Sequence, residues 1–359
     1  MIGSRIKQAR KSSGMSMREL AKKAGISAMA ISKYENEKAT PSSGVLLALA
    51  KAMGVRTEYF FRHQDIQLEN VEYRKHHKLP IKIQNQIKGN VIEQLERYFE
   101  LEHLLPIRPI TAFSIPKAIP SKINDYSGIE EAAQKLREEW DLGVNPIAEM
   151  ADMLEERGIK IFLSDVLHDD KFDGLAVQVE GMPVIVIGKD RPGDRQRFTL
   201  AHELGHLILK DRLSENLKDE VEGAANRFAG AFLVPASEVR KELGEKRSWL
   251  EPKELYVLKH AYGLSMGGWL HRAYDLEIIS RQNYQKMVAY FRGNGWHKIE
   301  PGNQIDPERP QLFEQLVFRA LGEDIIGESK AAELMGLSVR DFKEIRRNME
   351  RDQKKISHH

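Results

Sequence analysis

Three ionisable side chains interrupt an otherwise apolar stretch between Phe198 and Leu209. His202 and His206 are four positions apart, so on a helix both imidazoles leave the same face, one turn apart. Two neutral imidazoles at this spacing can hold Zn²⁺, and Glu203 between them can act as a base toward water. A histidine pair buried in a core is the alternative, but burying three such groups is costly unless a charge compensates them. We therefore interpret the stretch as a metal site with a catalytic Glu203.

A catalytic zinc site needs a third protein ligand. Residues 218–229 predict an acidic helix that carries Glu222 and Asn226 on one face. Glu222 can supply the ligand, and Asn226 can hydrogen-bond to a ligand from behind. Asp219 and Glu220 are competitors, because acidic residues are favoured in the first turn of any helix. Spacing alone leaves the choice between these acids open.

The segment from Arg195 to His206, followed by the Glu222-x-x-Ala225-Asn226-x-Phe228-Ala229 pattern and by residues 233–235, resembles the ImmA/IrrE family of zinc metallopeptidases. The resemblance covers roughly residues 123 to 280. It implies that His202, His206 and Glu222 bind zinc, with Mn²⁺ as an alternative metal, and that Glu203 is the catalytic base. It also implies a protein substrate, since relatives cleave DNA-binding repressors that are often encoded beside them.

Charge is distributed unevenly along the 359 residues, whose formal net charge is +2. Residues 1–61 contain 11 Lys/Arg and 4 Asp/Glu, a local charge of +7, which leaves −5 for the rest. A basic N-terminal part favours a polyanionic partner. The absence of cysteine excludes disulfides and thiolate zinc sites. Neither a membrane-spanning apolar run nor a signal peptide is apparent, so we expect a soluble, cytoplasmic protein.

The first 61 residues predict a bundle of short helices. Helices are expected at residues 3–13, 17–24 and 44–53, and Ser27 is expected to cap another that runs through Tyr34. Ser16 and Glu19 have the spacing of a capping box, and Gly25 permits a sharp turn. Two short helices joined at such a turn form a helix-turn-helix.

The segments from Glu19 to Ser27 and from Ile31 to Ser42 resemble the phage-repressor-like (Xre/Cro) family. The resemblance implies that the third helix enters the major groove of operator DNA. The exposed candidates for DNA contact are Ser27, Ala28, Met29, Ser32 and Lys33, with Asn36 and Lys38 near the DNA backbone. Met17 stands where many relatives have Gln, which leaves the base preference open. A protein-interaction or dimerisation module is the alternative for this bundle.

Together these patterns predict an α+β, mostly helical protein in four parts. They are a four- or five-helix helix-turn-helix bundle at 1–61, a helical and Pro-containing linker at 62–122, a zincin-like metallopeptidase domain with a small β-sheet at 123–300, and a helical extension at 301–359. The linker contains a long amphipathic helix from Ile81 to Leu105. In the third part, a helix is expected from Asn145 to Arg157, and strands at 159–163, 174–179 and 183–187.

The C-terminal part has a helix-glycine-helix rhythm between Glu328 and Val339. This rhythm is compatible with a second helix-turn-helix-like element or with a bundle that covers the catalytic domain. We favour the covering bundle at this point.

The leading functional hypothesis is a DNA-binding transcriptional regulator fused to a zinc-dependent endopeptidase. Its substrate would be a repressor, a toxin or another partner encoded nearby, or the protein itself. A homodimer is expected for a repressor-like module with an amphipathic linker helix. The alternative is a non-proteolytic repressor or antitoxin-like protein whose zinc domain is a sensor or a partner-binding module.

Overall fold

The computed structural model of the protein describes residues 2–61, 80–106, 112–165, 173–179 and 181–356. Helices dominate these residues and a three-stranded sheet accompanies them, which confirms the predicted α+β, mostly helical class. The chain divides into two compact units, one formed by Met1–Pro109 with Gln311–His359 and the other by Ile110–Pro310. Across the described ranges, we find no helix whose length and apolar character suit it to cross a bilayer.

The helices are, in chain order, α1 (Ile2–Ser12), α2 (Met17–Ala24), α3 (Ala28–Glu35), α4 (Ser43–Met53), α5 (Ile81–Leu104), α6 (Tyr126–Glu139), α7 (Met150–Glu156), α8 (Gly193–Leu209), α9 (Val221–Leu233), α10 (Ala236–Leu243), α11 (Pro252–Tyr262), α12 (Met266–Asp275), α13 (Arg281–Gly293), α14 (Leu312–Gly322), α15 (Glu328–Leu334) and α16 (Val339–Ile356). The strands are β1 (Lys160–Ser164), β2 (Gly174–Val179) and β3 (Met182–Gly188).

In the first unit, α1 to α4 form the bundle that the sequence predicts. Glu19 N–H donates to Ser16 Oγ at 3.2 Å and Ser16 N–H donates to the Glu19 carboxylate at 2.7 Å, so the capping box is present. Gly25 follows α2 with φ of 68°, a left-handed conformation that glycine adopts without steric cost. The turn it makes places α3 directly after α2, as a helix-turn-helix requires.

Two buried ion pairs fix α1 within this unit. Arg10 Nε and Nη2 donate to the two carboxylate oxygens of Glu35 at 2.5 and 2.9 Å, which ties α1 to the end of α3. The hydrogen bond to Glu35 raises the pKa of Arg10, so the guanidinium stays charged. Arg5 pairs with Glu96 of α5, and both side chains are buried. The long helix is therefore part of the same packed body as the helix-turn-helix.

In the second unit, the sheet has the order β1–β3–β2. Strand β3 pairs in parallel with β1, with Ile161 opposite Ile185, and antiparallel with β2, with Ala176 opposite Ile185. Residue 180, between β2 and β3, lies outside the described residues. Helix α8 packs against β2 and β3 on one side and against α9 on another. The sheet and α9 therefore flank the helix that carries the histidine pair.

The predicted helix from Asn145 to Arg157 is shorter than expected, because α7 begins only at Met150. Arg137 Nη2 donates to the Asn145 carbonyl at 2.6 Å, and Arg197 Nη1 donates to the Ala148 carbonyl at 2.9 Å. Carbonyls that a helix would have used internally thus accept from two buried guanidinium groups instead. The sequence pattern carries no sign of these distant donors.

The C-terminal helices α14, α15 and α16 belong to the first unit. They pack on Tyr98 and Leu101 of α5 in one apolar cluster, and Lys330 of α15 pairs with Glu100 of α5. Residues 311–356 thus pack on α5 within the first unit, and the expectation that this region covers the catalytic domain stays a prediction. The apolar face of α5 provides the surface on which these helices bury their own apolar residues.

Candidate metal centre and DNA-binding helix

Helix α8 presents His202 and His206 on one face, with their Nε2 atoms 3.0 Å apart. Leu200, Leu204 and Ile208 are fully buried and anchor the same helix in the core. His202 is buried and His206 is half-buried. The spacing predicted from the sequence therefore brings the two imidazoles together at the edge of the core.

Glu222 of α9 reaches this pair. Its Oε2 atom lies 3.4 Å from His202 Nε2 and 3.7 Å from His206 Nε2. Of the two competitors, Glu220 instead accepts a hydrogen bond from the Tyr126 hydroxyl at 2.6 Å, and Asp219 is exposed. Within the described residues, His202, His206 and Glu222 form the group of three side chains suited to hold a metal ion.

The donor set fits a cation. Asn226 Oδ1 lies 2.8 Å from His202 Nδ1, so we assign the proton to Nδ1, which leaves the lone pair on Nε2. That lone pair and the Glu222 carboxylate are both acceptors, and His206 Nε2 faces them at 3.0 and 3.7 Å. Ligand atoms placed about 2.0–2.1 Å from a tetrahedral zinc are roughly 3.3 Å apart, which these separations bracket.

Asn226 has the position predicted for it. It lies one turn after Glu222 on α9 and contacts the ring nitrogen of His202 that faces away from Glu222. A hydrogen bond to that nitrogen fixes the tautomer and the ring orientation of a metal-binding histidine. The contact therefore allows Asn226 to orient the imidazole of His202.

Glu203 follows His202 on α8 and is half-buried. On a helix its side chain points about 100° away from that of His202. It therefore cannot easily share an ion with the two imidazoles, and it is placed to reach a water molecule beside them.

Helices α8 and α9 approach closely where Gly205 faces Ala225. A Cβ added to Gly205 would lie 3.3 Å from the Ala225 carbonyl oxygen and 3.1 Å from a Phe228 ring carbon. Glycine has an unfavourable helix propensity, so its place inside α8 is explained by this close backbone approach. The approach is what allows Glu222, on the second helix, to reach histidines on the first.

An ionic network anchors α9, and the sequence reasoning missed it. Arg227 Nε donates to Glu130 of α6 at 2.5 Å, and Arg227 Nη1 lies 3.0 Å from Asp275 of α12. Arg272 of α12 donates to both oxygens of Glu130 at 2.6 and 3.1 Å. Arg227, the residue that follows Asn226, thus links α9 to α6 and α12. Pairs so far apart in the chain leave no periodic signal, so sequence spacing does not reveal them.

A second network anchors the start of α8. Arg197 Nη1 donates to Glu308 at 3.1 Å, and Gln196 accepts from the Glu308 N–H at 2.7 Å. Burial raises the pKa of the Glu308 carboxyl, while the Ala151 N–H and the Arg197 charge act in the opposite direction. The segment around Glu308 therefore supports helix α8, although it lies far along the chain from it.

Lys259 is fully buried beside the same end of α8. Its Nζ lies 3.1 Å from Asp194 and 3.0 Å from Glu300. Burial alone would lower the pKa of Lys259, but the hydrogen bond and charge of Glu300, with Asp194, outweigh it and raise the pKa. The buried cation thus stays charged and links α8 to the segment after α13.

Helix α3 exposes the predicted DNA-contact positions. Ser27, Met29, Lys33, Asn36 and Lys38 are exposed, and Met29 is 70% accessible. Ala28 and Ser32 are half-buried. Ser27 Oγ accepts from the Ala30 N–H at 3.1 Å and so serves as the helix cap. Helix α3 and the residues that follow it therefore present Lys33 and Lys38 to solvent beside the apolar Met29.

Comparison with protein families agrees with both parts of this description. Residues 6–60 match the helix-turn-helix model, and residues 154–274 match the model of the IrrE N-terminal-like domain. Among curated proteins, no match to the chain was found. The chain therefore joins a helix-turn-helix DNA-binding domain to a domain of the IrrE N-terminal-like peptidase family.

Proposed function

We propose that the protein is a DNA-binding regulator that hydrolyses peptide bonds in a partner protein with a metal ion held by His202, His206 and Glu222. The observation that carries this proposal is the convergence of three ligand atoms from two helices, with separations of 3.0, 3.4 and 3.7 Å. The proposed parts are residues 1–61 for DNA, 62–122 as a linker, 123–300 for peptide hydrolysis and 301–359 as a helical extension.

Each residue has a separate task in this proposal. When bound, Zn²⁺ lowers the pKa of a water molecule to about 7 and polarises the scissile carbonyl. Glu203 accepts the proton of the attacking water and delivers it to the leaving amide nitrogen. Asn226 keeps the His202 ring in place through its contact with Nδ1.

Zinc is the proposed metal rather than manganese. Two imidazole nitrogens and one carboxylate oxygen form the donor set of catalytic zinc sites, which keep the fourth position open. Manganese favours six oxygen-rich positions. Activity restored by Zn²⁺ but not by Mn²⁺ after chelation supports this choice, and the opposite pattern assigns manganese.

The outer edge of strand β2 is the proposed binding site for an extended substrate. Strand β2 pairs with β3 on one side, and it packs against α8. An extended peptide can add to such an edge through main-chain hydrogen bonds, with side chains alternating between the two faces. The scissile bond would then lie near the histidine pair of α8.

The DNA part acts through α3 in this proposal. Lys33 on α3 and Asn36 and Lys38 just after it are exposed, and contacts of the two lysines with phosphate would make binding sensitive to salt. We propose a cytoplasmic homodimer on a two-fold operator, since helix-turn-helix proteins bind paired half-sites as dimers. Light scattering on the free protein and on its complex with DNA measures this stoichiometry.

The test combines metal analysis with a cleavage assay on proteins encoded beside this gene and on the protein itself. The wild type is expected to contain about one zinc per chain and to cleave one of these proteins. Glu203→Gln is expected to keep the metal and lose cleavage by about 10²–10⁴-fold, and His206→Ala to lose both. Equal cleavage by the wild type and Glu203→Gln would remove the proposed mechanism. Metal binding without cleavage of any candidate favours the sensor or antitoxin-like alternative.

A further inference from the structure

The C-terminal helices α14, α15 and α16 form a small bundle with an apolar core of their own on α5. The buried members of this core are Tyr98, Leu101, Leu105, Leu316, Val317, Ala320, Ile326, Ala331, Ala332, Leu334 and Phe342. A different apolar cluster holds the helix-turn-helix of α2 and α3 together. The first unit thus contains two helical bundles, each with its own core, and both contact α5.

The turn between α15 and α16 has the sequence pattern of the turn between α2 and α3. The first turn reads Ala21-x-x-x-Gly25-Ile26-Ser27, and the second reads Ala332-x-x-x-Gly336-Leu337-Ser338. The residue before the alanine, Leu20 or Ala331, is fully buried in both places. The pattern therefore recurs in residue type, in spacing and in burial.

The backbone of the two turns is also similar. Gly25 has φ of 68° and Gly336 has φ of 70°. The Ile26 N–H donates to the Ala21 carbonyl at 3.1 Å, and the Leu337 N–H donates to the Ala332 carbonyl at 2.8 Å. This is the pattern with which a glycine closes one helix and redirects the chain into the next.

The second helix of each pair begins and packs in the same way. Ser27 Oγ accepts from the Ala30 N–H at 3.1 Å, and Ser338 Oγ accepts from the Asp341 N–H at 3.1 Å. Four residues after each serine stands a fully buried apolar residue, Ile31 or Phe342. Helix α16 therefore occupies, in its own bundle, the position that α3 occupies in the first.

The correspondence assigns surface positions on α16. Arg340, Lys343 and Arg347 take the places of Met29, Ser32 and Asn36, and all three are exposed. Glu344 takes the place of Lys33. Lys343 lies 3.4 Å from Glu328, a pair exposed to water and therefore weak. Three cations thus lie at positions of the face that α3 uses in the first bundle, with Glu344 in the place of Lys33 and the exposed Asp341 in the place of Ala30.

Two arginines of the first unit contact the turn of the second bundle, and the start of α16 stays accessible. Arg56, between α4 and the 3-10 helix at Thr57–Phe61, donates to the Leu337 carbonyl. Arg97 of α5 lies over Gly336, 2.6 Å from the place that a Cβ would take. Ser338, Val339 and Arg340 remain exposed. The contacts from α5 and Arg56 fix the second bundle without covering its candidate DNA-binding face.

We propose that α15 and α16 form a second helix-turn-helix that contacts double-stranded DNA through Arg340, Lys343 and Arg347. One chain then carries two DNA-contacting helices, α3 and α16, within one packed unit, and it covers a longer stretch of DNA than α3 alone. The proposal rests on DNA binding by the first helix-turn-helix, which the test below measures separately.

The test measures how binding of the full-length protein to a labelled duplex from upstream of its gene depends on salt. Phosphate contacts are independent of sequence, so binding at low salt suffices even where this duplex is not the operator. Four proteins are compared: the wild type, an α16 variant with Arg340→Gln, Lys343→Gln and Arg347→Gln, an α3 variant with Lys33→Gln and Lys38→Gln, and a control with Arg281→Gln, Lys286→Gln and Arg292→Gln. The control removes three exposed positive charges from α13 in the second unit.

The slope of log affinity against log salt is expected to become less negative by about 0.9 for each phosphate that the variant no longer neutralises. The slope of the α16 variant is therefore expected to be about 2–3 less negative than that of the wild type. The α13 control is expected to keep the wild-type slope apart from the effect of net charge. The α16 variant is also expected to protect a shorter stretch of the duplex from nuclease. Arg340→Gln alone, expected to lose about 0.9, provides the same comparison if the triple variant unfolds at a lower temperature.

Three results overturn the proposal, and they are distinguishable. If the α16 variant has the same slope as the control while the α3 variant binds DNA more weakly, α16 does not contact DNA and only the first helix-turn-helix does. A change in oligomeric state without a change in slope makes α16 a protein contact instead. Absence of salt-dependent binding by the wild type removes DNA binding by both helices.

Discussion

The Glu222 carboxylate lies 3.4 Å from His202 Nε2, although the two residues belong to different helices. Glu220, only two positions earlier, is engaged by the Tyr126 hydroxyl at 2.6 Å. The start of α9 separates these two acids, because Glu220 ends the preceding 3-10 helix and Glu222 lies in the first turn of α9. Glu220 and Glu222, two positions apart in the chain, thus have different surroundings.

This separation predicts different effects on metal binding. Glu222→Gln is expected to weaken zinc affinity by more than the roughly 10–100-fold typical of residues behind the ligands, because it removes a ligand. Glu220→Gln is expected to leave the affinity within a few-fold of the wild type, because its partner is a phenol rather than the histidine pair. Competition with a chromophoric chelator measures both. Equal losses in the two variants would contradict the assignment of Glu222.

Asn226 provides a second, graded prediction. Asn226→Leu removes the acceptor beside His202 Nδ1 and is expected to reduce zinc affinity by about 10–100-fold. Asn226→Asp keeps an oxygen acceptor at this position and is expected to restore most of the affinity. A uniform loss in both variants would indicate that the position matters for packing rather than for orienting the ring.

The parts of the structure that the sequence predicted are those whose signals are local. The His202–His206 pair depends on one helical period, and the Ser16 capping box and the Gly25 turn depend on neighbours within a few residues. Glu222 was not chosen by spacing alone. The resemblance to a family selected it, and the geometry supports the same residue.

The parts that the sequence did not predict depend on partners far along the chain. Arg197 donates hydrogen bonds to the backbone carbonyls just before α7, so this helix is shorter than predicted. Arg197 also pairs with Glu308, which holds the segment around Glu308 against α8. The sequence did not identify α5 as the helix on which the C-terminal helices pack, because the apolar residues of α14 suit either an enzyme core or a neighbouring helix. An amphipathic pattern predicts that one face of a helix is buried, but it does not identify the element that covers this face.

Gly193 and Gly293 form a matched pair for the contact at the start of α8. A Cβ on Gly193 would lie 2.0 Å from the Asp306 carbonyl oxygen, whereas Gly293 has no such neighbour within 4 Å. Gly193→Ala is expected to reduce the free energy of unfolding by about 1–3 kcal/mol, because the 305–306 backbone must move. Gly293→Ala is expected to be neutral or to stabilise by up to about 1 kcal/mol. Urea denaturation measures both, and equal effects would argue against the close packing of residues 305–306 on α8.

Glu308 predicts a pH dependence of stability. Burial raises the pKa of its carboxyl in the folded state despite the Ala151 N–H at 2.8 Å and Arg197 at 3.1 Å. A raised pKa means that the folded protein binds this proton more tightly than the unfolded chain does. The contribution of Glu308 to the free energy of unfolding is therefore full below the ordinary carboxyl pKa of about 4.3 and falls as pH rises through the raised value.

Glu308→Gln lacks this titration. The free energy of unfolding of the wild type minus that of the variant is therefore expected to shrink as pH increases from about 4 through the raised pKa of Glu308. Glu131→Gln, an exposed change on α6, serves as the control for a lost carboxyl without burial. Urea denaturation across this pH range provides both differences. A difference that grows with pH would mean that the ion pair with Arg197 outweighs burial, because the carboxylate rather than the carboxylic acid would then be the form that stabilises the fold.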